Sequence, residues 1–167
     1  GFMEFLLKMQ MTYQITTAND ATQYNAAAKL FTEYADSLDF TLSFQNFDAE
    51  LEQIPQMYGA PQGALLLVEQ NGQYIGVGGI RKIEGENTCE IKRMFVQPAY
   101  QNLGIGKALM QALIDVATEL KYNTIKLDTL GPKMPAAVKL YRSFGFVETA
   151  PYNFNPHEGI LYFEKSI

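Results

Sequence analysis

The segment that decides the fold reads Val96-Gln97-Pro98-Ala99-Tyr100-Gln101-Asn102-Leu103-Gly104-Ile105-Gly106-Lys107. It leaves a strand-like run at Val96, turns at Pro98 and opens into a helix. Gly104 and Gly106 carry no side chains, so backbone N–H groups of the first helical turn can approach a ligand closely. Those unpaired N–H groups and the positive end of the helix dipole form an anion site suited to a phosphate or pyrophosphate, and Lys107 adds a local charge. The loop lacks the Gly-Lys-Ser/Thr ending of a P-loop and the third glycine of the dinucleotide fingerprint.

Downstream of the loop, Ile105, Ala108, Leu109, Ala112, Leu113, Val116, Ala117 and Leu120 recur at three and four residues. This spacing predicts an amphipathic helix ending near Lys121. Upstream, Ala64 to Glu69, Tyr74 to Ile83 and Thr88 to Val96 are separated by Asn71-Gly72 and by a turn at Gly85 to Asn87, the pattern of three antiparallel strands. Tyr13 to Thr17 reads as a strand, and Asn19 or Asp20 offers an N-cap for a helix reaching about Leu38. Phe40 to Phe47 fits no single element, and Asp48 to Met57 reads as a second helix ahead of the Gly59, Pro61 and Gly63 cluster. Thr124 to Thr129 is a strand, Pro135 to Phe144 a helix closed by Gly145, and strands lie near Phe146 to Thr149 and Ile160 to Lys165. This order describes an α+β sheet covered by helices.

The 167 residues are 47% hydrophobic and 13% aromatic, enough for one core. Residues 1–10 are set aside as an N-terminal extension, leaving a single domain over 11–167. A net charge of -5 argues against a nucleic-acid partner and leans weakly toward a cationic substrate. One cysteine, Cys89, and one histidine, His157, argue against a disulfide framework and against a metal site. No apolar run reaches the roughly 18 residues of a membrane span, so a soluble, cytoplasmic protein is expected.

Gln101-x-x-Gly104-x-Gly106, placed after a strand ending Met94-Phe95-Val96, resembles the Gln/Arg-x-x-Gly-x-Gly/Ala loop of the GNAT superfamily of acyl-CoA-dependent N-acetyltransferases. Leu140-Tyr141-Arg142-Ser143-Phe144-Gly145-Phe146 is similar to that family's Leu-Tyr-x-x-x-Gly-Phe signature, and Leu127-Asp128-Thr129 falls where its fifth strand belongs. The resemblance implies a three-layer α/β arrangement with a mixed, mostly antiparallel sheet of six to seven strands flanked by helices. It implies acetyl-CoA as co-substrate, without a metal. Its pyrophosphate would lie on the amides of Leu103, Gly104, Ile105, Gly106 and Lys107, with Gln101 and Asn102 at the loop's start. Its pantetheine arm would pair with the backbone around Met94, Phe95 and Val96 as an added strand. A β-bulge that opens a slot for the acyl group also belongs to that pattern.

Tyr141 matches the tyrosine that in many members acts as general acid toward the coenzyme A sulfur; a phenol with a pKa of about 10 stays protonated at neutral pH. Tyr141 also shares an apolar stripe with Ala137, Leu140 and Phe144, which is a core position. Alternation puts Glu90, Lys92, Met94 and Val96 on one face, where Glu90 matches the base glutamate of some protein-acetylating members. A pair with Lys92 or Arg93 is its alternative use. Cys89 points to the other face and reads as a small buried hydrophobe. Asp128, Tyr152 and Asn155 are expected at the acceptor site. Where many members carry an Asn seven residues before the tyrosine, this chain has Met134, followed by Pro135.

The function implied is direct transfer of the acetyl group to a primary amine, a small molecule slightly favoured over a peptide or protein amine. Acceptor specificity is left to the domain's own loops or to a second copy in a homodimer. A non-catalytic acyl-CoA-binding or sensing domain is the alternative, favoured by Met134, and a nucleotide-binding protein using the same loop is a third.

Overall fold

The computed structural model describes residues 1–4, 12–39, 41–42, 46–85 and 87–167. Seven strands form one open sheet in the order β1-β2-β3-β4-β5-β7-β6. They are β1 (Gln14–Thr17), β2 (Ala64–Gln70), β3 (Gln73–Glu84), β4 (Thr88–Val96), β5 (Thr124–Thr129), β6 (Val147–Glu148) and β7 (Leu161–Ser166). The pairs are antiparallel except β4 with β5, which is parallel. A parallel pair needs a crossover, and the amphipathic helix that follows the glycine loop supplies it. This is the mixed, helix-flanked sheet expected from the sequence.

Helix α1 (Ala21–Asp36) begins where Asp20 accepts the Gln23 N–H at 2.8 Å, the bond that makes an aspartate a good N-cap. The second expected helix is two: α2 (Phe47–Glu52) and α3 (Ile54–Met57). Pro55 has no N–H and crowds the carbonyl four residues back, so one continuous helix cannot pass through it. Part of the ambiguous Phe40 to Phe47 stretch lies outside the described residues, as does residue 86 of the Gly85 to Asn87 turn. Helices α4 (Ile105–Glu119) and α5 (Pro135–Ser143) follow in the second half of the chain.

The sheet separates two cores. On one face Ile105, Leu109, Met110, Leu113 and Ala117 of α4 pack on Ile80, Cys89, Ile91 and Val96, with Val138 and Tyr141 of α5 against them. On the other, Ala27, Leu30 and Phe31 of α1 and Ile54 pack on Leu65, Leu67 and Val77. Each fully buried Leu, Ile or Phe contributes about 1.5–3 kcal/mol relative to exposure, so both layers hold the sheet rigid behind the strand edges described next.

Candidate active site

The glycine loop is tied back onto the sheet: Gln101 Nε2 donates to the Val96 carbonyl of β4 at 2.8 Å, and the Gln97 N–H donates to the Ile75 carbonyl of β3 at 2.9 Å. Asn102 (φ 63) and Gly104 (φ 85) are left-handed, which curls successive N–H groups to one side, the geometry of an anion-binding nest. From Asn102 to Lys107 no backbone N–H has a hydrogen-bond acceptor among the described residues; the first paired amide is Ala108, to the Gly104 carbonyl. A Cβ added at Gly106 would meet nothing within 4 Å. Six consecutive free donors at the start of a four-turn helix fit a pyrophosphate.

Before the loop, β4 changes register. Val77 of β3 faces Phe95, but Gly79 faces Lys92, so β4 carries an extra residue there, and Arg93 takes a left-handed φ of 59°. This β-bulge reverses the alternation. Glu90 and Lys92 stand on the α1 face, opposite Arg81 and Gly79, whereas Met94 and Val96 belong to the α4 core. The single face expected for Glu90, Lys92, Met94 and Val96 is thereby corrected. The bulge is locked by Arg93, whose guanidinium makes two bonds to Glu50 of α2 at 2.9 and 3.0 Å. Tyr58 donates to the same carboxylate at 3.0 Å.

Beyond the bulge β4 and β5 part. Their pairing is confined to Thr88–Thr124, Cys89–Ile125 and Glu90–Lys126. Two concavities fill the gap. An open groove of about 490 Å³ runs from the glycine loop along Met94, Phe95 and Val96 to α5. A smaller cavity of about 110 Å³ lies between the strands, lined by Lys92, Arg93, Asp128, Thr129 and Asn155 among others. Met94, Met134, Ala137 and Tyr141 line both, so groove and cavity meet there.

Tyr141 packs between Phe146 and Phe163, ring centroids 6.2 and 6.1 Å away, with no hydrogen bond to its hydroxyl among the described residues. Burial pushes its phenol well above the ordinary value, so it keeps its proton. Asp128 accepts from Asn153 at 2.9 Å; burial, with a smaller push from Glu90, raises its carboxyl above the usual range. Burial pushes the Lys92 ammonium down, against the pull of Glu90.

Of the residues expected from sequence, Gln101, Asn102, Gly104, Gly106, Lys107, Met94, Phe95 and Val96 line the groove. The Ile105 side chain is buried in the α4 core, leaving its N–H to the loop. Asp128 and Asn155 line the cavity. Glu90 lines neither. It is 2% exposed, with one carboxylate oxygen on Arg81 Nε at 2.9 Å and the other on the Tyr152 hydroxyl at 2.5 Å. Tyr152 therefore meets Glu90 rather than the cavity. Cys89 is fully buried and burial raises its thiol to about 12, which leaves it an inert core residue. Lys92, placed with Met94 and Val96 by alternation, and Met134, at the position of the family's Asn, both line the cavity, as do Arg93 and Thr129, which the sequence did not single out.

The model of the acetyltransferase (GNAT) family matches residues 25–146. An uncharacterized N-acetyltransferase of Schizosaccharomyces pombe is 37% identical over 134 residues, 80% of this chain and 82% of that protein. An acetyltransferase structure from Streptococcus agalactiae superposes with a TM-score of 0.76 at 19% identity, over 93% of this chain and 98% of that one. A Salmonella typhimurium acetyltransferase structure solved with its cofactor acetyl-CoA gives 0.68 at 22% identity, over 93% and 94%. Among the described residues no helix is long and apolar enough to cross a membrane.

Proposed function

The chain belongs to the GNAT family of acetyltransferases, and from that premise we propose that it passes the acetyl group of acetyl-CoA directly to the primary amine of a small acceptor. The observation that carries this reading is the junction of groove and cavity at Met94 and Tyr141. Acetyl-CoA, as substrate, supplies an activated acyl carbon with a thiol leaving group.

The free amides of Asn102 to Lys107 hold its pyrophosphate, and the β4 backbone beyond the bulge, left unpaired by β5, takes the pantetheine arm as an added strand. This places the thioester at the junction and the acceptor in the cavity. Tyr141 hands its hydroxyl proton to the sulfur as the carbon–sulfur bond breaks and regains it from solvent. Asp128 takes a proton from the amine nitrogen as the carbon–nitrogen bond forms. The products are the N-acetyl amine and free coenzyme A. Asp128 replaces Glu90 as the base in this account because both Glu90 oxygens are occupied and the cavity does not reach it. Glu90 is a positioning residue that fixes Tyr152.

The test is thiol release from acetyl-CoA across a panel of primary amines. Amine-dependent release that saturates with both substrates supports transfer. Tight coenzyme A binding with no amine-dependent release supports a sensing domain instead.

A further inference from the structure

The charges around the small cavity do not all cancel. Arg93 is closed on Glu50 by two bonds, and Arg81 on Glu90 by one. That leaves Lys92 on β4 and Asp128 on β5, which share the α1 face of the sheet and both line the cavity. They are not ion-paired with each other, and the Lys92 ammonium has no hydrogen bond or ion pair among the described residues. Thr129 of β5 lines the same cavity.

A cation and a carboxylate without counter-ions among the described residues, the carboxylate bonded only to the neutral Asn153 amide, complement a ligand carrying both charges in the opposite sense. A second ammonium, as in a polyamine, would be driven toward Lys92 and repelled. The volume is compatible: about 110 Å³ is room for the head of a small amine such as an α-amino acid.

We infer that the acceptor is a zwitterionic α-amino acid, its carboxylate on the Lys92 ammonium and its amine beside Asp128. This overrides the weak lean toward a cationic acceptor drawn from net charge, because the local field of the cavity outweighs distant surface charges screened by solvent. It rests on the reading that the cavity is the acceptor site, and not on turnover.

The experiment is calorimetric titration of the coenzyme A-saturated protein with matched pairs: L-alanine and ethylamine, L-serine and ethanolamine, L-methionine and 3-(methylthio)propylamine, L-phenylalanine and 2-phenylethylamine. At least one amino acid should bind about tenfold or more tighter than its decarboxylated partner, the range of one charged hydrogen bond. Lys92→Met should erase that preference by weakening the amino acid alone, with coenzyme A affinity unchanged, and Lys92→Arg should restore part of it. Amines binding as well as the amino acids, Lys92→Met weakening both members of a pair alike, or no amino acid binding at all would each overturn the inference. If Lys92→Met does not fold, the matched pairs decide on the natural protein. Because binding needs no turnover, amino acid preference without acetylated product would retire the transfer reading and the word acceptor with it, and leave the amino acid as the ligand class of the cavity.

Discussion

Tyr141 and Met94 each line both the open groove and the smaller cavity, so the helix and the strand that carry them frame the junction at which the proposed transfer would bring thioester and amine together. The Tyr141 hydroxyl has no hydrogen bond among the described residues, while its ring is wedged between Phe146 and Phe163. Tyr141→Phe keeps that packing and removes the proposed acid. Turnover should fall by roughly 10² or more, with the thermal midpoint and coenzyme A affinity unchanged, as read by thiol release and calorimetry. Since burial raises the phenol, the natural protein should show no alkaline loss of rate below the ordinary tyrosine range near pH 10.

Gly106 separates ligand binding from folding. Nothing in the protein lies within 4 Å of a Cβ placed there, so Gly106→Val clashes only with a molecule seated on the loop amides. Coenzyme A should bind about tenfold or more weakly, on the scale of a lost charged hydrogen bond, while circular dichroism and the melting midpoint stay as in the parent. Unchanged affinity would remove the pyrophosphate from this loop.

Asp128 should show opposite effects on activity and stability. Its carboxyl is raised by burial, so the folded state binds a proton more readily than the unfolded chain, and stability falls as pH rises from the ordinary carboxylate range, near 3.9, through the folded value. Asp128→Asn removes that cost: the melting midpoint at neutral pH should rise or hold. kcat/KM should drop by about 10² to 10⁴ if Asp128 is the base, and the acid limb of the pH–rate profile should vanish. Glu90→Gln, by contrast, should retain the acid limb.

The bulge depends on the buried pair Arg93–Glu50. Burial alone would raise the Glu50 carboxyl, yet the hydrogen bonds and charge of Arg93 hold it below the usual range. A depressed folded value gives stability that is present above the unfolded value of about 4.3 and lost as pH falls through the folded one. Glu50→Gln should cost about 3–5 kcal/mol, the range for stripping one partner from a buried pair. Its melting midpoint should also depend less on pH below that range than the parent's.

Much of the architecture was legible because its signals are local. Asn71-Gly72 marks a hairpin, Gly104 and Gly106 mark the start of α4, and the apolar stripe of α4 shows which face it buries. Tyr141 was visible as a matched position in a short signature. What was hidden depends on partners far along the chain. The bulge at Arg93 exists because β4 pairs with β3 out of step and because Glu50, 43 residues away, captures the guanidinium. Strict alternation therefore put Glu90 and Lys92 beside Met94, where the fold sets them on opposite faces. Glu90 resembled a free base until Arg81 and Tyr152, the latter 62 residues on, were seen to occupy it. The two unpaired charges of the cavity could not be distinguished by composition from the pairs around them.

The most direct measurement is mass spectrometry of the products formed from deuterated acetyl-CoA and a library of primary amines and amino acids. The account predicts N-acetylated product carrying the label, in equal amount to the coenzyme A released, and its loss in Tyr141→Phe and Asp128→Asn. Release of coenzyme A without any labelled amide, or labelled product made equally well by both variants, would contradict it.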